Sequence, residues 1–259
     1  MEKNPSITYL PLVPVRAFPS ERAEMVTQML FGELCRVMDT HGNWSRVELE
    51  ADGYSGWVDS RMIDAVAEAN TDTLLGYGSC VVTSPVAEAR NVTTGRSTWL
   101  PAGSLLPHCD SQRGTFAARS MVYSVDPAAI GPIVGRFTLT ALRFLGVPYL
   151  WGGKTIFGMD CSGFMQVVFS LHGIRLPRDA SQQALCGRQV PFNKRVAGDL
   201  AFFANADGHI VHVGMVMDGG SIIHASGSVR IDRLDSCGIF DESRHIYTHR
   251  LHSIRSISG

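Results

Sequence analysis

The spacing of apolar residues changes near the middle of the chain, at Asp126 and Pro127. Before that point the apolar runs are short and interrupted by Gly and Pro, which is typical of short strands and tight turns. After it, apolar residues recur first at helical spacing and then in strand-like runs. Helices are predicted at residues 134–146 (apolar face Phe137, Ala141, Phe144, Leu145) and 161–171 (Phe164, Val167, Val168, Leu171), and strands at 199–203, 210–217 and 221–225. We therefore expect an α+β core, a helix packed on an antiparallel sheet, over residues 127–259.

Residues 1–66 are predicted to form a small β-barrel. Its predicted strands are residues 33–38, 44–49 and 56–58, and a helix is predicted as an insert at residues 20–30, with Ser20 as its N-cap. The pieces GNWSRVEL and DGYSGWVDSRMI resemble the bacterial SH3-like domain. After a linker expected at residues 65–70, residues 71–126 are predicted to form a second SH3-like barrel, although they lack the Gly-Tyr-x-Gly-Trp pattern.

The overall composition excludes several classes of partner. The net charge is −1, from 23 basic and 24 acidic residues, so neither a nucleic acid nor an anionic membrane surface is expected to bind. No apolar run approaches the roughly 18 residues that span a bilayer. The N-terminal sequence lacks the apolar core of a secretory signal, which predicts a cytoplasmic protein, or a periplasmic or cell-surface one if a leader has been removed.

The six cysteines contain no Cys-x-x-Cys pair. Neither a structural metal site nor a disulfide framework is therefore expected, and most of the cysteines are predicted to be reduced, buried thiols.

Cys161 is the cysteine whose position suggests chemistry, because it lies between Asp160 and Ser162 at the start of a predicted helix. Asp160 is a suitable N-cap, which makes Cys161 the first helical residue. Amide donors and the helix dipole favour thiolate over thiol there, so we expect the thiol pKa to lie below its ordinary value of about 8.5. Taken alone, the position fits an inert thiol as well as a nucleophile.

His212 and His224 are the imidazoles that such a nucleophile would need for protonation of a leaving amine. A turn of three residues, such as residues 218–220, would place both side chains on one face of a hairpin, opposed or diagonal, whereas an even turn would separate them. His209 has the opposite parity from His212. A zinc site formed by the two histidines and Cys161 lacks any short ligand spacing. We interpret His212 as a general base and His224 as the group that orients it.

Four segments in order resemble the NlpC family of bacterial cell-wall cysteine peptidases: PYLWGGKTIFGMDCSGF, LPRDASQQ, AGDLAFF and HVGMVMDGGSIIHASG. The resemblance covers residues 134–250 and implies a papain-like core without a cofactor or metal. It assigns Cys161 as nucleophile, His212 as base and His224 as the third residue. Two SH3-like domains before such a core resemble the subgroup of γ-D-glutamyl-L-diamino-acid endopeptidases (dipeptidyl-peptidase VI). That subgroup implies a murein peptide with a free N-terminal L-alanine as substrate, cleaved before meso-diaminopimelate or lysine during peptidoglycan recycling.

The resemblance also implies a set of substrate-binding residues. They are Asp160, Ser162, Ser181, Tyr149 and Trp151 in the core, and Tyr54 with Glu24 (or Glu21) in the first barrel. Asp160 is expected to offer a free carboxylate to the substrate ammonium, and its structural alternative is the N-cap alone. Tyr54 has the alternative of packing within the barrel. Arg178 and Asp179 are expected to form a structural ion pair.

Two other functions fit the same residues. One is an acyltransferase or amidase that uses the same Cys-His chemistry, and the other is a non-catalytic module whose SH3-like barrels hold cell-wall peptides.

Overall fold

The computed structural model describes residues 4–67 and 80–257 and divides the chain into two compact units, Met1–Ile133 and Val134–Gly259. None of the helices in the described ranges is long and apolar enough to cross a membrane.

The first unit begins with a seven-stranded antiparallel sheet in the order β3-β2-β6-β5-β4-β1-β7. Its strands are β1 Asn4–Ile7, β2 Leu12–Arg16, β3 Met25–Leu30, β4 Leu34–His41, β5 Trp44–Leu49, β6 Ser55–Asp59 and β7 Asp64–Ala65, and a 3-10 turn occupies Ser60–Met62. Buried and accessible residues alternate along β2 and β5, which is why Val13, Val15 and Val47 meet in one core. The three predicted strands of this region are confirmed, with β4 longer than expected.

The helix predicted at residues 20–30 is wrong. Ser20 begins a tight turn, in which the Ala23 amide donates to the Ser20 carbonyl, and Met25–Leu30 is strand β3 paired with β2. The physical reason is that Val26 and Thr27 are β-branched and β2 offers a complete row of hydrogen-bonding partners, so pairing overrides a weak helical period.

The rest of the first unit is a four-stranded sheet, β10-β9-β13-β12, and a two-stranded sheet, β11-β8. The strands are β8 Cys80–Val81, β9 Val86–Asn91, β10 Ser97–Pro101, β11 Leu105–Leu106, β12 Thr115–Ala118 and β13 Met121–Val125, followed by a 3-10 turn at Pro127–Ala129. Phe116, Leu100 and Val82 belong to their core, and Phe31, in the turn after β3, packs into it. Much of the predicted linker and the first residues of the predicted second barrel, 68–79, lie outside the described residues.

Cys80 and Cys109 form a disulfide, which the sequence analysis did not predict. The pairing of β8 with β11 places Cys80 opposite Leu106 and so brings Cys109 within bonding distance, although the two cysteines are 29 residues apart in sequence. Sequence spacing gives no sign of such a long-range contact. The other four cysteines are free; Cys35 and Cys161 are buried as expected, whereas Cys237 is exposed.

The second unit contains three short helices and nine strands within its described residues. The helices are α1 Phe137–Leu142, α2 Cys161–Ser170 and α3 Ala180–Gln183, with a 3-10 turn at Phe192–Lys194. The strands are β14 Lys154–Thr155, β15 Gly158–Met159, β16 Arg188–Gln189, β17 Leu200–Ala204, β18 Ile210–Met217, β19 Ser221–Ser226, β20 Ser228–Leu234, β21 Gly238–Asp241 and β22 Ile246–Ser256. The three strands predicted in this region are confirmed to within one residue at each end.

Strands β17 to β22 close into a six-stranded antiparallel barrel, because β21 pairs with both β20 and β22. Phe203, Val216 and Ile222 belong to the core that these strands share. The sequence predicted an antiparallel sheet but not its closure, which depends on the late strands β20 to β22 that were not predicted.

Helix α2 packs on β18 and β19 and is buried from Cys161 to Phe169. A helix that is buried on all sides belongs to a core, so the prediction of one apolar face was too narrow. Even Gln166 is buried, where its side-chain amide donates to the carbonyl of Leu176 at 2.9 Å. Helix α1 is shorter than predicted: it ends at Leu142, and Leu145 is 47% exposed rather than part of an apolar face.

Candidate active site

Cys161 is the first residue of α2, as the sequence predicted, and Asp160 caps the helix by accepting from the Gly163 amide at 2.7 Å. The backbone N–H groups of Val213 and Ser162 donate to the Cys161 sulfur. Because Val213 follows His212 on β18, the sulfur lies beside the strand that carries the predicted base.

His212 and His224 lie on one face of the β18–β19 hairpin. The turn between the strands has three residues, 218–220, and His224 is opposite Gly214, so His212 is its diagonal neighbour. Their rings meet with His212 Nε2 and His224 Nδ1 2.8 Å apart. The parity prediction is therefore confirmed. A Cβ at Gly214 would lie 2.8 Å from the Cβ of His224, so the close approach of β18 to this ring requires glycine.

Asp232 is a member of this cluster that the sequence analysis missed. Its Oδ2 lies 2.9 Å from His224 Nε2 and 2.8 Å from an Arg230 nitrogen. The parity rule that paired the histidines would also have found it, because β19 and β20 are joined through Gly227 alone, with Ser226 opposite Ser228. An odd turn and an even separation of 8 residues place Asp232 on the face of His224.

His249 on β22 was also missed. Its ring stacks on that of His212, with centroids 4.1 Å apart and planes inclined by 27°. Phe203 contacts both rings, so His212 is held between neighbours from two strands, β17 and β22. No periodic signal in the sequence connects residue 249 to residue 212.

The pKa values of Cys161 and His212 differ from what the helix dipole led us to expect. Burial, followed by the charge of Asp160, raises the pKa of the Cys161 thiol to about 11, against the opposing amides of Val213 and Ser162. Burial, followed by the neighbouring His224 and His249, lowers the pKa of His212 well below 6.5. The prediction of a lowered thiol pKa was wrong, because desolvation outweighs the helix terminus. At neutral pH the pair therefore rests as neutral thiol and neutral imidazole.

Asp160 does not offer the free carboxylate that was expected. Arg178 binds both of its oxygens, Gly152 and Gly163 donate backbone N–H groups to it, and Ser162 donates its hydroxyl. Asp160 and Arg178 are 4% and 2% exposed, so this ion pair is fully inside the unit. The sequence analysis did not name Asp160 as an ion-pair partner of Arg178; Asp179, which it did name, forms the capping box of α3. Ser162 also accepts from Arg178 at 2.8 Å, so it belongs to the same buried network.

The remaining predicted substrate residues lie in different settings. Tyr149 is half-buried beside the nucleophile: burial, then the proximity of Cys161 and Asp160, raises the pKa of its hydroxyl to about 12. Trp151 is 59% exposed, and Ser181 is exposed on α3. In the first unit, Tyr54 packs against the core of the seven-stranded sheet, Glu24 is exposed, and Glu21 pairs with Arg16 at 3.6 Å.

No three His, Cys, Asp or Glu side chains within residues 4–67 and 80–257 are arranged to hold a metal ion. The alternative of a zinc site at Cys161 therefore gains no support from their geometry. The Cys161 sulfur lies at the backbone amide of the residue after His212, and a second imidazole and a carboxylate follow His212 in a chain of hydrogen bonds; such a set of groups is suited to acyl transfer through a covalent intermediate.

Comparison with known proteins places this geometry in a family. Residues 146–247 match the NlpC/P60 family, and residues 15–63 match the bacterial dipeptidyl-peptidase Sh3 domain. A gamma-D-glutamyl-L-lysine dipeptidyl-peptidase of Bacillus subtilis is 32% identical over 216 residues, which cover 77% of this chain and 71% of the relative. A protein of the same name from Bacillus cereus is 31% identical over 252 residues, covering 85% of this chain and 73% of the relative.

A solved structure agrees in fold. The crystal structure of an NlpC/P60 family protein from Bacillus cereus superimposes with a TM-score of 0.84, at 21% identity, over 98% of this chain and 99% of that chain. The expected papain-like core with an SH3-like domain before it is thereby confirmed. Because both Bacillus relatives are more than 30% identical and are covered over more than two thirds of their length, the chain belongs to the NlpC/P60 family of cysteine peptidases.

Proposed function

We propose that this protein is an endopeptidase that hydrolyses the bond between γ-D-glutamate and an L-diamino acid in murein peptides with a free N-terminal L-alanine. The first product is L-Ala-γ-D-Glu. The second is free lysine or meso-diaminopimelate, or a peptide that begins with that residue. The observation that carries the proposal is the Cys161 thiol lying against the Val213 amide, next to the hydrogen-bonded pair of His212 and His224. The names of the two Bacillus relatives supply the substrate class.

The first half of the reaction forms a thioester. His212 takes the thiol proton as the Cys161 sulfur attacks the γ-carbonyl carbon, and the carbonyl electron pair moves to oxygen. The backbone N–H of Cys161, at a helix start where amides lack intrahelical partners, donates to that oxyanion. The carbon–nitrogen bond then breaks, and His212 returns its proton to the departing amine.

The second half of the reaction restores the enzyme. A water molecule gives a proton to His212 as its oxygen attacks the thioester carbon. The carbon–sulfur bond breaks, the acid product leaves, and the proton returns to the Cys161 sulfur. We assign Tyr149, which is half-buried beside Cys161, to substrate binding together with Trp151 and Ser181.

The first unit supplies the recognition of the substrate in this proposal. We also propose a second SH3-like barrel for residues 71–126; its described part, residues 80–126, supports this with the four-stranded antiparallel sheet of β9, β10, β12 and β13 and with an apolar core that Phe31 joins. Tyr54 and Glu24 bind the substrate amine, for which a tyrosine hydroxyl and a carboxylate are suitable acceptors.

The proposal predicts the products and the role of the free amine. Incubation with L-Ala-γ-D-Glu-meso-diaminopimelate should release L-Ala-γ-D-Glu, detected by mass spectrometry, and the N-acetylated tripeptide should be cleaved with a kcat/KM at least about tenfold lower, because a charge-assisted contact is lost. The same pair of peptides with lysine decides the preferred diamino acid.

Each contrary result has its own meaning. Absence of the dipeptide with selective alkylation of Cys161 by iodoacetamide would favour an acyltransferase or amidase. Absence of both hydrolysis and selective alkylation would favour a binding module. Equal cleavage of free and acetylated peptides would remove Tyr54 and Glu24 from the proposal and leave the peptidase intact.

The lowered pKa of His212 predicts the acid limb of the pH profile. The reaction needs neutral His212, and because burial and two neighbouring imidazoles disfavour its charged form, protonation occurs at lower pH than in a free histidine. Measured from pH 4 to 8, kcat/KM should therefore stay near its plateau at pH 6.5 and fall only below it. A midpoint at or above pH 6.5 would contradict this assignment of the base.

A further inference from the structure

A continuous chain of hydrogen bonds extends from His212 to a carboxylate. His212 Nε2 lies 2.8 Å from His224 Nδ1, and His224 Nε2 lies 2.9 Å from Asp232 Oδ2. His224 is fully buried, so both of its ring nitrogens are satisfied within the protein by these two partners. Strands β18, β19 and β20 each contribute one member, and the parity of the two turns places all three on one face.

The charge state of the Asp232 carboxylate determines which atom donates in each of these hydrogen bonds. Although burial acts to raise its pKa, the hydrogen bond from His224 and the charge of Arg230 lower the pKa of Asp232, so it is ionised and only accepts. Because Asp232 only accepts, His224 donates to it from Nε2, and a His224 ring with a single proton then accepts at Nδ1. His212 must then donate from Nε2, and its Nδ1 carries the lone pair.

We propose that Asp232 is a positioning residue that holds both histidines in the tautomer that leaves His212 Nδ1 free to take the proton of Cys161. The proposal deepens the peptidase function and rests on it for its catalytic consequence. Asp232 does not touch the substrate or the sulfur. It acts through His224, and its negative charge also stabilises the positive charge that His212 acquires during the attack.

The surroundings of Asp232 explain why its removal should reverse the direction of the hydrogen bonds between the two histidines. Arg230 lies opposite His224 in the sheet and donates to the same Asp232 oxygen, with a second, longer contact of 3.4 Å to Asp241. Without the Asp232 carboxylate, the guanidinium is the neighbouring donor for His224 Nε2. His224 would then carry its proton on Nδ1 and donate to His212, which places the His212 proton on Nδ1, where it blocks base catalysis.

The other groups near His212 do not determine which of its ring nitrogens carries the proton. His249 on β22 stacks on the face of His212, and its ring Nδ1 lies 2.9 Å from Thr248 Oγ1, so it contacts the ring without joining the chain of hydrogen bonds. Burial, followed by His224 and Arg230, lowers its pKa to about 4, so it is neutral at physiological pH. Asp241 is reached only through Arg230.

The tautomers can be measured directly in the unmodified protein. Two-bond proton–nitrogen spectra of histidine rings distinguish Nδ1–H from Nε2–H, and we expect both His212 and His224 to be Nε2–H at pH 7. Neither substrate nor activity is needed, so this measurement stands even if the proposed peptidase function fails. An Nδ1–H signal from His212 would overturn the inference.

Variants then test the contribution of Asp232. In Asp232→Ala we expect His212 to shift to Nδ1–H, alkylation of Cys161 by iodoacetamide at pH 7 to slow at least about tenfold, and kcat to fall about a hundredfold or more with little change in KM. Asp232→Glu, which keeps a carboxylate, should recover part of each loss. A purely structural role would lower stability without changing the tautomer.

Two matched variants separate the carboxylate from its ion pair. Arg230→Ala breaks the same ion pair but leaves the acceptor of His224, so the tautomers should stay as in the wild type and kcat should fall no more than about fivefold. Asp218→Ala removes an exposed carboxylate that pairs with Arg136 on the same unit and should change neither readout. Wild-type tautomers and alkylation rate in folded Asp232→Ala would overturn the proposal; should that variant not fold, the wild-type ring spectrum still decides it.

Discussion

Replacement of Cys161 by alanine is expected to abolish hydrolysis of the γ-D-glutamyl bond and to leave the fold intact. The Cys161 thiol, at the start of α2, is the group that forms the thioester in the proposed reaction. Loss of a covalent nucleophile removes the reaction path rather than one contact, so kcat should fall by at least about 10⁴-fold. Product release from the tripeptide, followed by mass spectrometry, gives the rate.

Cys186 and Cys237 provide the controls for this experiment. Both are free thiols of the same unit, half-buried and exposed, and they lie outside the site. Alanine at either position should retain at least about half of the activity, because neither sulfur contacts the described site residues. The thermal midpoint of Cys161→Ala should lie within a few degrees of the wild type, since the change removes one atom. Substantial hydrolysis by this variant would exclude the thioester mechanism.

The central part of the site could be predicted because it depends on local rules. Asp160 followed by Cys161 before an apolar helix is a cap and a first turn, and those positions are fixed by short-range hydrogen bonds. The pairing of His212 with His224 needs only the length of one turn. Strand β18 is found with the predicted bounds, Ile210–Met217, for the same reason.

What could not be predicted depends on contacts between distant segments. The Cys80–Cys109 disulfide, the stacking of His249 on His212 and the partner of Arg178 all join residues on separate elements. The raised pKa of Cys161 could not be predicted for the same reason. A helix start can be recognised in the sequence, whereas the burial that raises this pKa depends on the packing of the whole unit. The failed helix at residues 20–30 shows that strand pairing overrides a local period.

The buried pair of Arg178 and Asp160 leads to the largest expected effect on stability. Arg178→Met should lower the free energy of unfolding of the second unit by about 3–5 kcal/mol, because it leaves the Asp160 carboxylate buried without its counter-ion. Asp160 is also the N-cap of α2, so its displacement would disturb the helix that carries Cys161. Urea unfolding followed by circular dichroism and by tryptophan fluorescence measures the loss.

A second substitution distinguishes uncompensated charge from lost packing. In Arg178→Met with Asp160→Asn, no buried charge remains, and the single amide oxygen of the asparagine can still accept from the Gly163 N–H at the start of α2, although no longer from the Gly152 N–H as well, so part of the lost stability should return. Arg175→Met, an exposed position three residues earlier, should change the free energy of unfolding by no more than about 0.5 kcal/mol. If the double variant is as unstable as Arg178→Met alone, the arginine stabilises the unit through the packing of its side chain, and the charge of Asp160 is not the cause.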